Sequence, residues 1–156
     1  MDNKSIEIIY LEKEIKVVGL SYKKLGLPET VESLEKMWNT YGEKYRNKVE
    51  NSVVPLVDYG ISACILTDKH EYIAGCEVSK IGTLDEHWEL FVVPTGKYIK
   101  YAARDIGTIF KDLENVRSWA NENKLTIYGD FEVEVYPQGA FEGKDVDVYI
   151  LLPVQA

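Results

Sequence analysis

The sequence predicts an α+β fold built from two βαββ units. The first observation is a repeat: strand-like, helical and hairpin-like segments follow in the same order in residues 1–80 and in residues 88–156, with a linker at residues 81–87. The second is the alternation of apolar and polar residues in the hairpin segments, which is typical of strands. Because each unit alone would bury only one face of its sheet, we expect the halves to pack together as one domain, residues 1–156.

In the first half, residues 5–22 are rich in β-branched side chains and predict one long or interrupted strand. Residues 27–49 predict a helix with Pro28 at its first position. Its apolar face is predicted from residues that recur at spacings of three and four: Val31, Leu34, Trp38, Tyr41 and Tyr45. Residues 58–67 and 70–79 predict a hairpin that turns near residue 69.

In the second half, residues 88–103 are strand-like, with a break at residues 94–96. Residues 105–123 predict a helix whose apolar face comprises Ile106, Ile109, Phe110, Leu113 and Val116. Residues 125–136 and 145–154 predict a second hairpin, joined by the loop at residues 137–144. If the two halves correspond, small residues of the first hairpin take the positions of Glu132, Glu134 and Tyr136 in the second: Gly60, Ser62 and Cys64.

Composition excludes several classes of function. The formal net charge is −8 and no block of basic residues is present, so direct nucleic-acid binding is not expected. No secretory signal and no apolar run of membrane-spanning length is present, so we expect a soluble cytoplasmic protein that does not enter a membrane. The two cysteines predict no disulfide, because a turn near residue 69 would place Cys64 opposite about Ala74, with Cys76 a diagonal away.

Acids and tyrosines alternate with apolar residues in both strands of the second hairpin. In "DFEVEVY" one face carries Phe131, Val133 and Val135, and the other carries Glu132, Glu134 and Tyr136. In "DVDVYI" the polar face carries Asp145, Asp147 and Tyr149. These faces are either solvated or form a wall of a site for a flat, positively charged molecule.

A binding site of this kind has a physical basis. A buried carboxylate is costly unless it is paired, so a cleft carboxylate without an arginine favours a cationic ligand, and aromatic faces add cation–π attraction. The aromatic candidates for such a wall, for which core packing is the alternative, are Trp38, Tyr59, Tyr72, Trp88 and Tyr149. The histidines and acids show no metal-ligand spacing, and no nucleophile motif is present, so neither a metal nor a cofactor is expected.

The sequence resembles the GyrI-like domain, the small-molecule (effector) binding module of bacterial transcription activators and multidrug-binding regulators. The similarity lies in "EYIAGCEV" (71–78) at the end of the first half, and in the second half in "VPTGKYIKYAARD" (93–105), a helix with Trp119, and the closing "FEVEVY…DVDVYILLPV". In the first half it lies in "VVGLSY", a helix with Met37 and Trp38, and "DYGIS". The resemblance implies the SOUL/effector-binding type of fold, with two βαββ units related by a pseudo-twofold axis.

The resemblance also implies a ligand and a site. Ligands of the family are amphipathic and often cationic aromatic molecules, bound in the cleft between the halves and contacted by the glutamate of an E-x-Y motif. Glu134-Val135-Tyr136 matches that motif best, and Glu132 starts a second, overlapping candidate. We therefore expect a stand-alone binding protein; a hydrolase of reactive small molecules that uses the cleft glutamate, or a gyrase-inhibitor-like interaction module, are the alternatives.

One departure from the family concerns the N-terminus. Regulators of this type carry a helix-turn-helix segment ahead of the module, whereas this chain begins almost directly with its first strand. The expectation is a protein without its own DNA-binding domain, which leaves a role for a separate regulator protein as a partner.

Overall fold

The computed structural model describes residues 6–28, 30–63, 70–103, 109–128, 130–142 and 147–155. Eight strands form one sheet: β1 (Ile6–Leu11), β2 (Ile15–Ser21), β3 (Asp58–Ala63), β4 (Glu71–Val78), β5 (Trp88–Val93), β6 (Gly96–Ala103), β7 (Phe131–Tyr136) and β8 (Val148–Pro153). The helices are α1 (Tyr22–Leu25), α2 (Val31–Thr40) and α3 (Ile109–Glu122). The structure thus confirms the predicted α+β class.

The sheet is antiparallel throughout, in the order β1-β6-β8-β7-β3-β4-β2-β5. The two predicted interrupted strands are each two strands, and the two parts join opposite ends of the sheet. β1 pairs with β6 of the second half, and β5 pairs with β2 of the first half. Each half of the chain therefore contributes the edge strand of the other, and β3 and β7 meet at the centre.

Short connections force this sheet to curl. β1 and β2 lie six strand positions apart, which is about 29 Å in a flat sheet. Only residues 12–14 join them, and that link spans at most about 15 Å. Residues 94–95 join β5 to β6 across the same number of positions. Accordingly the ring of Phe91 on β5 lies 5.4 Å from the ring of Phe131 on the central strand β7.

We call the concave side of the curled sheet its inner face. It is packed with a single apolar cluster: Val17, Tyr59, Ile61, Ala63, Ile73, Val93, Tyr98, Val133 and Leu151. Gly19 and Gly75 pair directly on this face, and a Cβ on either would collide with the backbone of the other strand. The two glycines thus permit a close approach of β2 and β4 at this position.

Helices α2 and α3 pack on the opposite, outer face. Met37 of α2 belongs to a first-half cluster with Leu20, Ala74 and Cys76 of the sheet. Leu113, Val116 and Ala120 of α3 belong to a second-half cluster built on β6, β7 and β8. Burial of Leu113 and Val116 agrees with their predicted apolar face, whereas Ile106 and the side chains of Ile109 and Phe110 lie outside the described residues.

The first long helix differs from its prediction in start and end. Thr30 caps it, accepting a hydrogen bond from the backbone N–H of Ser33, so Pro28 precedes the helix. Val31 is 65% exposed, because Ser33 and Met37 occupy the buried stripe instead. The α-helix ends at Thr40 and continues as a π-helical turn, Tyr41–Tyr45, and a 3-10 turn, Arg46–Lys48.

The first hairpin has a different register from the one predicted. Ala74 pairs with Gly60, so the expectation that Ala74 lies opposite Cys64 is wrong by four residues. Cys64 itself lies outside the described residues, and Cys76 is a buried free thiol. None of the helices described in the structure is long and apolar enough to span a membrane.

Candidate functional site

The candidate site lies on the outer face, where the two halves meet at β3 and β7. In their antiparallel pairing Asp58 is opposite Tyr136, Gly60 is opposite Glu134, and Ser62 is opposite Glu132. Directly paired residues point to the same side of a sheet, so these six residues form one patch. Three carboxylates therefore stand close together at the junction of the halves, on the face that α2 and α3 cover.

Gly60 makes room for the centre of this patch. A Cβ at this position would lie 2.7 Å from Oε1 of Glu134, and closer still to the hydroxyl of Tyr72. The carboxylate of Glu134 and the phenol of Tyr72 thus lie directly above a residue without a side chain. A glycine is required here for the space it leaves, not for a special backbone angle.

Glu134 is held by two tyrosines. The hydroxyl of Tyr72 donates a hydrogen bond of 3.0 Å to Oε1 of Glu134, and that of Tyr136 donates one of 2.5 Å to the same oxygen. Tyr72 in turn accepts a 3.1 Å hydrogen bond from Nε1 of Trp38 on α2. Among the described residues no donor contacts Oε2, so both phenols fix the carboxylate through one oxygen.

Aromatic rings cover this hydrogen-bonded centre. Trp38 packs against both outer-face clusters and is within 5.3 to 6.5 Å, ring centre to ring centre, of Tyr41, Tyr72 and Tyr136. Phe141, from the β7–β8 connection, lies 5.2 Å from Trp38 and 4.9 Å from Tyr136. Phe141 is the outermost of these rings and is 45% exposed.

The three carboxylates of the patch differ in their partners. Glu132 forms an ion pair with Arg117 of α3. Asp58 lies 3.0 Å from Nη2 of Arg46, and it accepts a 2.8 Å hydrogen bond from Tyr41. Glu134, between them, has no basic partner among the described residues. The two flanking acids are thus neutralised by arginines, whereas no described residue neutralises the central one.

Burial dominates the ionisation of this centre. It raises the pKa of Glu134 from its ordinary 4.5 to about 7, against the hydrogen bonds from Tyr136 and Tyr72, which favour the charged form. Burial and the neighbouring carboxylate raise the pKa of both tyrosines far above 10, so both stay protonated and donate. Near neutral pH, Glu134 therefore exchanges between its charged and neutral forms.

The structure brings four of the predicted site residues together: Trp38, Tyr72, Glu134 and Tyr136. Glu132 lies on the same face, two residues from Glu134 along the strand, but its carboxylate is ion-paired with Arg117. Trp88 is buried in the first-half cluster, with its ring 5.9 Å from that of Tyr45. It therefore packs in the core of the first half.

Tyr59 and Tyr149 are not brought to this site. Tyr59 alternates with Gly60 and so lies on the inner face, where its hydroxyl donates to Glu77 at 3.1 Å. Tyr149 pairs with Val135, which puts it on the side of the sheet opposite Glu134, under the ammonium of Lys100. The two acid-and-tyrosine faces of the second hairpin therefore point to opposite sides; Asp145 lies outside the described residues and Asp147 is exposed.

Sequence reasoning missed four residues of the site: Asp58, Arg46, Arg117 and Phe141. Asp58 opens its strand beside a tyrosine, and its alternation with Gly60 is a signal that could have placed it on this face. Phe141 lies in a single 3-10 turn, Ala140–Glu142, and Arg46 lies at a helix end, where no periodicity assigns a direction. Among the described residues, no three His, Cys, Asp or Glu side chains are arranged to hold a metal ion.

A separate cavity of about 420 Å³ opens at the first-half end of the sheet. Its lining includes lysines, glutamates and apolar residues of β3, β4 and β5: Lys23, Lys24, Ala63, Glu71, Ile73, Glu89, Leu90 and Phe91. None of the three carboxylates of the outer-face patch lines it. It is therefore distinct from the Glu134 centre.

Comparison with known proteins identifies the fold and the family. The chain is similar in structure to an integron cassette protein from the mobile metagenome of Vibrio cholerae (TM-score 0.68, 17% identity, 97% of each chain). It is similar to the C-terminal domain of EcmrR (0.73, 11%, 96% of each) and to SAV2435 bound to tetraphenylphosphonium (0.70, 13%, 97% of this chain and 94% of that one). No curated protein sequence matches significantly.

A sequence model of the integron-associated effector binding proteins (Cass2) matches residues 7–154, nearly the whole chain. Together with the structural neighbours, this match confirms the expected resemblance to GyrI-like domains. The chain belongs to the family of integron-associated effector binding proteins, which have the GyrI-like effector-binding fold.

Proposed function

We propose that this protein binds amphipathic aromatic cations and that the carboxylate of Glu134 supplies the counter-charge. One observation carries the proposal: Glu134 is buried at the junction of the halves, surrounded by aromatic rings, and has no basic partner among the described residues. A ligand cation would take the place that an arginine takes beside Glu132 and beside Asp58.

The energetics favour such a ligand. Burying an ionisable group without an opposite charge destabilises a protein by several kcal/mol in the charged form, which is why Glu134 is partly neutral when free. A cation at Oε2 would stabilise the charged form. Each aromatic face would add about 0.5 to 2 kcal/mol of cation–π attraction, without demanding one ligand shape.

A structural relative supports the ligand class. SAV2435 is described as bound to tetraphenylphosphonium, a lipophilic cation with four phenyl rings. At 13% identity the comparison establishes a shared fold only, but the chemistry of that ligand suits a carboxylate enclosed by aromatic rings. Tetraphenylphosphonium is therefore the first probe to use.

Binding at Glu134 requires a movement of the cover. Glu134 is 4% exposed, so a ligand cannot reach its carboxylate while Trp38 and Phe141 keep their present positions. Trp38 also donates to Tyr72, so its displacement breaks a hydrogen bond in the centre. Ligand binding is accordingly expected to change the fluorescence of Trp38, and a Trp38→Phe variant should lose that part of the signal.

Calorimetric titration of tetraphenylphosphonium tests the proposal. Glu134→Gln should weaken binding by about 1.5 to 3 kcal/mol, because it removes a buried charge pair. Glu132→Gln is the matched control on the same strand face, and it should have a smaller effect because Arg117 already neutralises that acid. A neutral analogue, triphenylphosphine oxide, should bind both variants and the native protein alike. Unchanged cation affinity in folded Glu134→Gln would refute the proposal.

The same geometry favours hydrolysis as a second candidate function. A carboxylate whose pKa is raised to about 7, beside two phenols, has the ionisation suited to a general base that activates water. The two functions differ in outcome: a binding protein returns its ligand intact, whereas a hydrolase converts it. Chromatography of reactive esters and epoxides after incubation, with Glu134→Gln as control, distinguishes them.

A further inference from the structure

The side chain of Arg46 makes the same kind of contact that the proposed ligand would make. Its guanidinium lies 3.0 Å from Oδ2 and 3.4 Å from Oδ1 of the buried Asp58. Its central carbon lies 5.0 Å from the ring centre of Tyr41 and 5.7 Å from that of Phe141. It is thus a flat cation held between aromatic rings and a buried carboxylate.

This internal cation adjoins the Glu134 centre. Asp58 pairs with Tyr136, the residue whose hydroxyl donates to Glu134, and Glu134 is the diagonal neighbour of Asp58 across the two strands. Diagonal neighbours of this kind lie about 7 Å apart. Phe141 contacts both the guanidinium and the rings that cover Glu134. The carboxylates of Asp58 and Glu134 thus lie within one group of aromatic rings, which we call the enclosure: Trp38, Tyr41, Tyr72, Tyr136 and Phe141. Of the two carboxylates, that of Asp58 already has a cation, Arg46.

We propose that Arg46 sets the number of positive charges that the site accepts. By occupying Asp58, it leaves a ligand one carboxylate to neutralise, so the native site selects monocations. Without Arg46, the site would offer two carboxylates, on diagonally neighbouring residues of β3 and β7, and would accept a flat dication whose two charges can reach both of them. This inference rests on the proposed function and names the charge class of the ligand.

Arg117 provides a matched comparison on the other flank. It also neutralises an acid next to Glu134, since Glu132 is two residues away on the same strand face. Among the described residues, however, Arg117 has no ring contact, so its removal would release a carboxylate without the aromatic faces that hold a flat cation. Loss of either arginine removes one positive charge, but only loss of Arg46 frees a carboxylate that lies among aromatic rings.

The test compares tetraphenylphosphonium, a monocation, with methyl viologen, a flat dication, by calorimetry. Arg46→Met should raise the affinity for methyl viologen relative to tetraphenylphosphonium by about tenfold or more. Arg117→Met should change that ratio by less than about threefold, and the double variant Arg46→Met with Asp58→Asn should return it to the native value. An unchanged ratio in Arg46→Met, or an equal rise in Arg117→Met, would overturn the proposal.

Because Arg46→Met leaves a buried acid without its cation, folding is checked by circular dichroism, and Asp58→Asn provides a second route. The Asp58→Asn variant retains Arg46 as a cation without a carboxylate partner, beside Glu134. Its affinity for tetraphenylphosphonium should therefore fall several-fold, and its affinity for methyl viologen should fall further. Equal affinities in Asp58→Asn and the native protein would contradict the inference. If the native protein binds no tetraphenylphosphonium, the proposed function itself fails; if it binds and only the ratios stay constant, this inference alone fails.

Discussion

The inner and outer faces of the two central strands are equally buried but chemically opposite. On the inner face Ile61 of β3 pairs with Val133 of β7, and both are completely buried in an apolar cluster. On the outer face the same strands bury Asp58, Glu134 and Tyr136 in a hydrogen-bonded patch.

The difference distinguishes residues that stabilise the fold from a residue that only a binding site would require. Apolar side chains on the inner face stabilise the sheet without unpaired polar groups. On the outer face a carboxylate without a counter-ion lowers stability when it is charged. Stabilisation of the fold therefore explains the residues of the inner face but not Glu134, and the proposed cationic ligand would explain that residue.

The largest predicted effect is on the inner face. Ile61→Ala should lower the free energy of unfolding by about 2 to 5 kcal/mol, because it leaves a cavity in a fully packed cluster. Urea titration measures the loss. In the variant that remains folded, the affinity for tetraphenylphosphonium should be unchanged; a large loss of affinity there would show that the two faces are not independent.

On the outer face we expect a substitution to raise the stability of the protein instead of lowering it. The pKa of Glu134 is raised from 4.5 to about 7 in the folded protein, so between these pH values the folded state holds a proton that the unfolded state has lost. Its contribution to stability is present in full below about pH 4.5 and is lost as the pH rises to about 7. Glu134→Gln should therefore be as stable as the native protein at pH 4 and more stable at pH 8, by about 3 kcal/mol.

Thermal and urea unfolding of Glu134→Gln at both pH values checks this expectation. Glu132→Gln is the control, and it should be slightly less stable than the native protein, by no more than about 1 kcal/mol, because it leaves the half-exposed Arg117 unpaired. A Glu134→Gln variant that is destabilised at pH 8 would mean that the charged carboxylate contributes to folding.

Ligand affinity should follow the ionisation of the same group. Because only the charged form of Glu134 attracts a cation, the affinity for tetraphenylphosphonium should rise about tenfold from pH 6 to pH 8. The affinity of Glu134→Gln and that of a neutral ligand should be flat over this range. Calorimetry at five pH values is sufficient, and a native profile without slope would argue against Glu134.

The smallest expected effect concerns Phe141, the outermost of the rings that cover Glu134. Phe141→Ala should leave stability nearly unchanged, because the ring is almost half exposed, but should increase the association rate of tetraphenylphosphonium several-fold in stopped-flow fluorescence. Tyr128→Ala removes a ring of almost equal exposure, 46%, from a segment beside β8, and it should leave the rate unchanged. Equal rates in both variants would show that Phe141 is not the part that moves.

Much of the fold follows from local patterns in the sequence. Alternation in "DFEVEVY" correctly puts Glu134 and Tyr136 on one face and Val133 on the other. The repeat predicted the order of elements, and the family resemblance predicted the fold. Alternation along β3 also separates Tyr59 from Gly60, so the sequence contains the signal that places Tyr59 on the other face.

The remaining features depend on relations between distant segments. Whether Tyr149 shares a face with Glu134 depends on the pairing of β7 with β8, which alternation within one strand does not determine. The exchange of edge strands between halves depends on links that could equally have closed local hairpins. The arginine partners of Glu132 and Asp58 come from α3 and from the end of a π-helical turn, so they depend on how these helical segments pack on the sheet.

The most direct test of the central claim is carbon-13 NMR of the Glu134 side-chain carboxyl, assigned with the Glu134→Gln variant and titrated with pH. The free protein should show a midpoint near pH 7, well above the ordinary 4.5. Saturating tetraphenylphosphonium should lower that midpoint by about one unit or more, because the cation stabilises the charged form, whereas triphenylphosphine oxide should not. A midpoint near 4.5 that tetraphenylphosphonium does not move would contradict the assignment of Glu134 as the counter-charge.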